Sequence, residues 1–346
     1  MKKVKFYKRI LLPLVVIMLI FSVSGCTKTT ETGGLSNTQD LPITVEGNNY
    51  PLKIKDFLKK ETILEKKPEK VAVLSGTPLN IWYDLGGKSI CTSNITDNLK
   101  LISEYKKEIN DLPQIGPVYS IDMESVVSLK PDLIIAQAGT QGTQADKLRD
   151  IGFKVITTNI RSYDDVIATY NAFGKILGNE KSAEAKIEAL KNKKEEIVSK
   201  LPKDNKSVVI LYITAKTIAV KLDNSIAGDV AKILKLDNIA SDLPPDTIGS
   251  ETTPLDVEYI VKKNPDYVLV TSMISDDEEA KKTMEEEFKS NPVWKGVKAV
   301  QEGRVIYLPQ QYFLYNAGPY YSEAIEYMAK SIYPEIYGEV THQDGK

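Results

Sequence analysis

Short apolar runs rich in β-branched side chains recur along the chain, and longer stretches with apolar residues at helical spacing separate them. The runs lie at residues 71–74, 133–136, 155–157, 208–213, 267–270 and 305–308. Between the first two runs, Met123, Val126 and Val127 show the three-to-four-residue spacing of an amphipathic helix. Strands that alternate with helices favour an α/β fold with parallel sheets.

One segment of this pattern occurs twice, at residues 122–135 and again at residues 256–269. Each copy reads Asp-x-Glu, six further residues, Pro-Asp and an apolar run. Acidic residues favour helix N-termini and Pro-Asp is a common turn, so each part alone is a weak signal. Because the whole spacing is shared, the repeat predicts two structurally similar lobes.

Residues 180–201 predict one long helix between these lobes. Its apolar side chains lie near one stripe, and Pro202 marks its end. A helix of this length spans about 33 Å, enough to run across the back of both lobes. Since a flexible hinge would be rich in Gly and Ser, we expect a stiff connector that allows the lobes to close by small angles only.

The first 26 residues predict an export signal that ends in a lipid anchor. A basic segment precedes an apolar run at residues 10–23, which is too short to span a hydrocarbon core of about 30 Å but fits a secretory signal. The run leads into VSGC at residues 23–26, which resembles the bacterial lipobox. This resemblance implies that Cys26 is diacylated and becomes the new N-terminus. An ordinary signal peptide with an incidental cysteine is the alternative.

The segment that follows Cys26 predicts a flexible tether. Residues 27–40 contain one large apolar side chain, Leu35, and cannot fold alone. We therefore expect a protein held by lipid on the extracellular face of the cell membrane. A freely diffusing periplasmic protein would not need this anchor, so the expected host is Gram-positive.

Composition excludes several classes of function. Without the five basic residues that precede position 26, the chain has 40 basic and 47 acidic side chains, which disfavours nucleic acid as a partner. The single histidine, His342, argues against a multi-histidine metal site and against Ser-His-Asp or Cys-His catalysis. With Cys26 lipidated, Cys91 has no disulfide partner, and it fits a small buried residue better than a reactive thiol. We expect a protein that is not an enzyme and has no intrinsic cofactor.

Several long stretches together resemble one known family. They are PEKVAVLSGTPLNIWYDLGGK at 68–88, QIGPVYSIDMESVVSLKPDLIIAQ at 114–137, the DYVLVTSM strand, and NPVWKGVKAVQEGRVIYLP at 291–309. The family is that of the substrate-binding proteins of ABC importers for iron complexes (siderophores and haem) and vitamin B12. The resemblance covers roughly residues 42–338.

The resemblance implies a class III substrate-binding protein, with two Rossmann-like α/β lobes joined by one bridging helix. Such a protein captures a small molecule between its lobes and delivers it, as a monomer, to a permease dimer with its ATPase. The expected segments are a signal peptide at 1–25, lipidated cysteine and tether at 26–41, an N-terminal lobe at 42–178, the bridging helix at 179–202, a C-terminal lobe at 203–340 and a polar tail at 341–346.

This resemblance also implies a functional role for the duplicated glutamates. In the family, glutamates equivalent to Glu124 and Glu258 stand on the outer tip of each lobe and form salt bridges with arginines of the two permease subunits. A permease with two-fold symmetry requires two similar contacts, which explains why the acidic pair repeats. Helix capping is the alternative role for these residues, and both roles are compatible.

The ligand is expected at the carboxyl ends of the strands, where open α/β sheets collect ligands. This rule places Thr77, Arg161, Lys216 and Met273 near the cleft. The resemblance adds the segment after GRVIYLP, whose Tyr312 and Tyr315 could stack on a porphyrin or catecholate. Packing against the final helix is the alternative for these two rings.

The family alone does not choose among haem, ferric siderophore and cobalamin. A siderophore brings its own iron ligands and needs aromatic and basic wall residues, which Arg161 and Lys216 could supply. Haem takes axial side chains, and the segments around Tyr119 and Met273 resemble those that carry axial ligands in Gram-positive haem-binding members. Tyr119 and Met273 differ from the residue types of those members but are capable of ligation. We expect an iron complex, with cobalamin as the alternative.

Two other functions are compatible with the same sequence. A ligand-sensing lipoprotein that docks on a receptor would use the same cleft, and a neighbouring permease gene would distinguish it from a transport protein. An extracellular hydrolase that uses carboxylates alone is the third possibility, and turnover of glycosides would reveal it.

Overall fold

Short strands and helices, joined by loops, make up the described part of the chain. The strands are β1 (Thr44–Glu46), β2 (Leu52–Lys55), β3 (Glu61–Leu64), β4 (Val71–Val73), β5 (Leu133–Gln137), β6 (Val155–Thr158), β7 (Ser207–Ile213), β8 (Ile218–Lys221), β9 (Asp237–Asn238), β10 (Thr252–Pro254), β11 (Tyr267–Ser272) and β12 (Val305–Tyr307). The helices are α1 (Gly76–Asp84), α2 (Lys106–Asn110), α3 (Met123–Ser128), α4 (Ala138–Asp150), α5 (Tyr163–Leu177), α6 (Glu180–Val198), α7 (Ile226–Ile233), α8 (Val257–Lys263), α9 (Asp277–Ser290), α10 (Lys298–Gln301), α11 (Gln310–Phe313), α12 (Tyr321–Ile332) and α13 (Pro334–Tyr337). Every strand predicted from the apolar runs is confirmed.

A computed structural model describes residues 41–315 and 318–341 of the chain. The predicted signal peptide, Cys26, nearly all of the tether and His342 lie outside the described residues. Within these two ranges, no helix combines the length and the apolar composition needed to cross a membrane.

The N-terminal lobe contains a parallel sheet in the order β4-β5-β6. Its strands are buried on both faces, which is why they appear in the sequence as continuous apolar runs. A second, antiparallel sheet of β1, β2 and β3 precedes it. The β2–β3 hairpin covers the edge of β6, where the Phe57 N–H donates to the Thr157 carbonyl at 3.1 Å. Pattern analysis missed this sheet because its strands are short and alternate with charged residues.

The C-terminal lobe contains a mixed sheet in the order β10-β8-β7-β11-β12, with β9 also paired to β7. Strands β9, β7, β11 and β12 are mutually parallel, whereas β8 and β10 run antiparallel to their neighbours. The predicted parallel strands are confirmed, and β8 and β10 extend them with antiparallel strands that the apolar runs did not predict. The cause is a tight turn after β7, in which the Thr214 N–H donates to the Thr217 carbonyl at 2.9 Å and reverses the chain into β8.

The first aspartate of each repeat copy caps a helix. Asp122 precedes α3 and accepts the N–H groups of Glu124 and Ser125 at 3.0 and 3.2 Å. Asp256 precedes α8 in the same way and accepts the Tyr259 N–H at 3.0 Å. In both copies the glutamate lies in the first helical turn, two residues after the capping aspartate, so the shared spacing of the copies has a local structural cause.

The second aspartate of each copy fixes the start of a neighbouring parallel strand. Asp132 accepts the N–H groups of Glu69 and Lys70, just before β4, at 2.7 and 3.0 Å. Asp266 accepts the N–H of Ser207, the first residue of β7, at 2.8 Å. The Pro-Asp turn therefore sets the register between two strands in each lobe, besides ending a helix.

Helix α6 lies between the two lobes, as predicted, but it is shorter than expected. It ends at Val198 rather than at Leu201, and Leu201 instead donates its N–H to the Val198 carbonyl at 3.2 Å. The helix tightens into a turn here because the residue before a proline, in this case Pro202, avoids the α-helical conformation. The remaining segment limits proposed for the two lobes stay predictions.

One apolar core extends through both lobes. In β5, Ile135 belongs to this shared core while its neighbour Ile134 belongs to a core local to the N-terminal lobe. In β7, Ile210 belongs to the shared core and Val209 to a core local to the C-terminal lobe. Helix α6 contributes Ile187 and other apolar residues to the shared core. Each main sheet therefore has one face on a local core and the other on the core that joins the lobes.

Substitution of Gly174 is expected to separate α5 from α6 and destabilise this joint. A Cβ atom at Gly174 would lie 2.6 Å from the Ala183 Cβ, so Gly174→Ala should lower the free energy of unfolding by about 1–3 kcal/mol in urea titrations. Gly142→Ala is the matched control, because its Cβ would meet only Leu58 Cδ1 at 3.8 Å and it should be neutral or stabilising. Equal stability of the two variants would contradict the close packing of these helices.

Candidate functional site

The carboxyl ends of the parallel strands carry a concentration of polar side chains. Ser75 follows β4, Gln137 ends β5 and Asn159 follows β6 in the N-terminal lobe. Thr214 follows β7 and Met273 follows β11 in the C-terminal lobe. Ligands of open α/β sheets bind at such an edge, so these two sets of strand ends define the candidate site.

Hydrogen bonds between the lobes show that these edges face each other. The Thr77 hydroxyl donates to the Tyr315 carbonyl at 2.7 Å. Arg161 Nη1 donates to the Gly249 carbonyl at 3.2 Å. Thr77 and Arg161, both expected at the cleft from the sequence, therefore lie where the N-terminal lobe meets the C-terminal lobe.

Tyr119 stands in an exposed loop of the N-terminal lobe, with 70% of its surface accessible. The loop is held by Gln141, whose amide nitrogen donates to the Val118 carbonyl at 3.0 Å and to the Leu74 carbonyl at 2.7 Å. Burial and the nearby Tyr119 raise the pKa of the Tyr315 hydroxyl, so the two phenols are close. Sequence reasoning missed Gln141, because nothing in its surroundings marks a glutamine as buried.

Tyr312 and Tyr315 have different environments. Tyr312 is buried and accepts a hydrogen bond from the Lys100 ammonium at 3.0 Å, and the same ammonium lies 5.1 Å from the ring centroid of Tyr320. The ring of Tyr312 is thus packed inside the protein, as in the alternative in which the tyrosines pack rather than bind ligand. Tyr315 is half-buried and keeps accessible surface.

Met273 and Lys216 are both accessible in the C-terminal lobe. Met273 is 46% exposed at the end of β11, and its N–H donates to the Ile213 carbonyl at 2.8 Å. Lys216 lies in the turn between β7 and β8, where its N–H donates to the Thr214 hydroxyl at 3.2 Å. Both side chains are therefore available to a ligand, and their predicted roles stay predictions.

A charged group that sequence analysis missed lies beside Arg161. Lys221 is 4% exposed and pairs with Glu251, whose other oxygen lies 3.7 Å from Arg161 Nε. Desolvation lowers the pKa of Lys221, and Glu251 partly offsets this effect. The Lys221 ammonium also lies 4.2 Å from the ring centroid of Tyr212, whose pKa is raised to about 12 mainly by burial. Only folding reveals this group, since β8 and the loop before β10 are distant from Arg161 in the chain.

Metal and thiol chemistry has little support in the described residues. No group of three or more His, Cys, Asp or Glu side chains within them is placed to hold a metal ion. Cys91 is fully buried and burial raises the pKa of its thiol to about 12, which confirms that it is a small core residue.

Glu124 and Glu258 occupy corresponding positions in the two lobes. Each is exposed in the first turn of its helix, two residues after the capping aspartate. Within the described residues, neither carboxylate makes a hydrogen bond or an ion pair. The aspartates of the repeat are used by the fold, whereas both glutamates remain free for an external partner.

Solved structures share the architecture of this chain. Staphylococcus aureus IsdE complexed with heme superposes with a TM-score of 0.66 at 22% identity, covering 77% of this chain and 100% of that chain. Staphylococcus aureus SirA complexed with staphyloferrin B superposes with a TM-score of 0.65 at 21% identity, covering 82% and 97%. This likeness confirms the predicted α/β fold with two lobes and a bridging helix.

Sequence comparison extends the likeness to curated relatives. The uncharacterized ABC transporter substrate-binding lipoprotein YvrC of Bacillus subtilis is 27% identical over 299 residues, covering 84% of this chain and 88% of the relative. The Fe(3+)-citrate-binding protein YfmC of the same organism is 26% identical over 295 residues, covering 84% and 86%.

The family itself is identified over most of the chain. The sequence profile of the periplasmic binding proteins matches residues 71–312, which begin at β4 and end within α11. This range includes both main sheets, the bridging helix α6 and the strand ends of the candidate site. The chain belongs to the periplasmic binding protein family.

Proposed function

We propose that this chain is the substrate-binding protein of an ABC importer and that it captures an iron complex, either a ferric siderophore or haem. The observation that carries the proposal is that the strand ends of the two lobes face each other, in a family whose relatives include a ferric citrate-binding protein. The ligand is bound and released unchanged, so no catalytic residue is needed.

The cleft offers the chemistry that an iron complex requires. Tyr119, Tyr315 and Met273 present accessible aromatic and thioether surface, which suits a porphyrin or the chelating arms of a siderophore. Arg161 adds a cation, whereas buried Thr77 donates its hydroxyl to the Tyr315 carbonyl and so helps to hold Tyr315 at the site. Lys216 supplies a second cation from the turn after β7, whereas the ring of Tyr312 is buried against Lys100 and is not part of the wall.

Anchoring follows from the relatives and from the N-terminal sequence. YvrC is named as a lipoprotein, and VSGC at residues 23–26 offers Cys26 as the acylation site. We assign the protein to the extracellular face of a Gram-positive cell membrane, where it works as a monomer with a permease and its ATPase.

Calorimetric titration of the purified protein tests the ligand class. Ferric citrate, haemin and the hydroxamate complex ferrioxamine B serve as iron complexes, cyanocobalamin as the alternative ligand, and iron-free citrate as the control. We expect saturable one-to-one binding of at least one iron complex and none of iron-free citrate. Saturable binding of cyanocobalamin alone would identify a cobalamin carrier and contradict the iron proposal.

The two ligation-capable residues give a spectroscopic test if haemin binds. Axial coordination by a phenolate and a thioether depends on single atoms, so Tyr119→Phe and Met273→Ala should each shift or abolish the Soret band of the complex. Absorption spectra of the haemin-loaded variants provide the measurement. Unchanged spectra in both variants would remove these residues as ligands and leave them as wall contacts.

The permease contact is assigned to Glu124 and Glu258. Both carboxylates are exposed, unpaired within the described residues, and equivalent by the internal repeat. Two equivalent negative charges, one on each lobe, are complementary to a membrane partner with two-fold symmetry that presents a cation to each lobe.

Charge reversal at both positions is expected to abolish uptake without affecting ligand affinity. The variant Glu124→Lys/Glu258→Lys should bind ligand like the wild type, yet fail to support uptake of the radiolabelled iron complex in cells. The control Glu184→Lys/Glu286→Lys makes the same change in charge at two exposed helical positions outside the repeat and should transport normally. Normal uptake by the first variant would refute the docking role.

A further inference from the structure

The side chain of Asn98 connects the two lobes beside the candidate site. Its amide nitrogen donates to the Ser275 carbonyl at 3.2 Å and to Gln310 Oε1 at 3.1 Å. Asn98 lies in the loop between α1 and α2 of the N-terminal lobe, whereas Ser275 follows β11 and Gln310 begins α11 in the C-terminal lobe. One side-chain amide therefore uses both of its N–H donors across the lobes. We call Asn98, Ser275 and Gln310 the interlobe cluster.

The loop that contains Asn98 is anchored within the N-terminal lobe. Asn80 in α1 is fully buried, and its amide nitrogen donates to the Lys100 carbonyl at 2.8 Å. Leu99 packs against Gly76, the first residue of α1, where an added Cβ atom would lie 2.5 Å from Leu99 Cδ2. These contacts hold the two residues that follow Asn98, so its side chain extends from an anchored part of the N-terminal lobe.

The carbonyl groups contacted in the C-terminal lobe belong to the segment of Met273. Gln310 Nε2 donates to the Ile274 carbonyl, and Asn98 Nδ2 donates to the Ser275 carbonyl. The two carbonyl groups that follow Met273 are thus held by two side-chain amides, one of which comes from the opposite lobe. Met273 is 46% exposed and is one of the residues expected at the ligand. Its position therefore depends in part on a hydrogen bond from the N-terminal lobe.

The hydrogen bonds of the interlobe cluster have one possible direction. Because Gln310 Nε2 donates to a backbone carbonyl, Gln310 Oε1 is the atom presented to Asn98. Asn98 Nδ2 therefore faces two acceptor oxygens, Gln310 Oε1 and the Ser275 carbonyl. A carboxylate at position 98 has almost the same shape but no donor, so it would repel both oxygens and separate the lobes at this point.

We propose that Asn98 is a positioning residue that keeps Met273 at the ligand and retains the ligand between the lobes. The proposal rests on the proposed function, since it requires a ligand in the cleft, but it holds for any of the candidate ligands. A ligand enclosed by two lobes leaves only when they separate, and the Asn98 hydrogen bonds break in that step. They contribute nothing to the first encounter, so their loss should raise the dissociation rate and leave the association rate unchanged.

Asn98→Ala and Asn98→Asp test this role by stopped-flow kinetics with ferric citrate, haemin, ferrioxamine B and cyanocobalamin as probes. The loss of two hydrogen bonds should raise the dissociation rate about tenfold in Asn98→Ala, and repulsion between oxygens should raise it further in Asn98→Asp. Asn94→Asp is the matched control, because Asn94 is exposed in the same loop and its side chain makes no hydrogen bond within the described residues. This control should release each probe at the wild-type rate.

Amide hydrogen exchange of the ligand-free protein measures the positioning of Met273 directly. The Met273 N–H donates to the Ile213 carbonyl at 2.8 Å, and loosening of its segment should expose it to solvent. We expect faster exchange over residues 272–276 in both Asn98 variants, wild-type exchange in Asn94→Asp and an unchanged free energy of unfolding in all three. A purely structural role of Asn98 would instead lower the free energy of unfolding.

The two measurements separate the possible results. Faster release of a probe together with faster exchange over residues 272–276 supports the role of Asn98. Wild-type release by both Asn98 variants would overturn it, as would a fall in the free energy of unfolding without faster exchange in this segment. Saturable binding of cyanocobalamin alone would contradict the iron proposal, yet its release rates would test Asn98 equally. If the wild-type protein binds no probe, the proposed function is contradicted, and wild-type exchange in the Asn98 variants would separately overturn the positioning of Met273.

Discussion

The apolar core shared by the two lobes is the constraint on which the rest of the structure depends. Along β5 and β7, successive residues point alternately to a local core and to the shared one, so neither sheet can shift without exposing apolar surface. Helix α6 completes this core from the outside. Apolar packing therefore joins the two lobes on the side away from the strand ends of the candidate site.

Two groups at the candidate site are costly to bury. Lys221 is buried beside Glu251, and Asn159 Oδ1 is buried without a hydrogen-bond partner. A site organised in advance loses little conformational entropy on binding, so the free energy of each new contact contributes to affinity.

The internal repeat contains aspartates that stabilise the fold and glutamates that we assign to an external partner. Asp122 and Asp256 cap helices, and Asp132 and Asp266 each fix the start of the parallel strand next to the one that they precede. These roles are internal and would be needed in any protein with this fold. The carboxylates of the two glutamates make no hydrogen bond or ion pair within the described residues, which is why we associate them with a partner.

Local sequence by itself determined the core strands, the repeat, the bridging helix and hence the two-lobed class of fold, because apolar periodicity and capping act over a few residues. It also indicated Thr77 and Arg161 at the cleft, since the end of a parallel strand is visible in the pattern. Two features were decided by the tertiary structure alone. One is which aromatic rings are buried, as Tyr312 is against Lys100, and the other is the antiparallel direction of β8. The tertiary structure also brought Glu251 and Lys221 to Arg161 and set Asn159 against Gly139, because these contacts join residues far apart in the chain, whose proximity depends on how the two sheets pack.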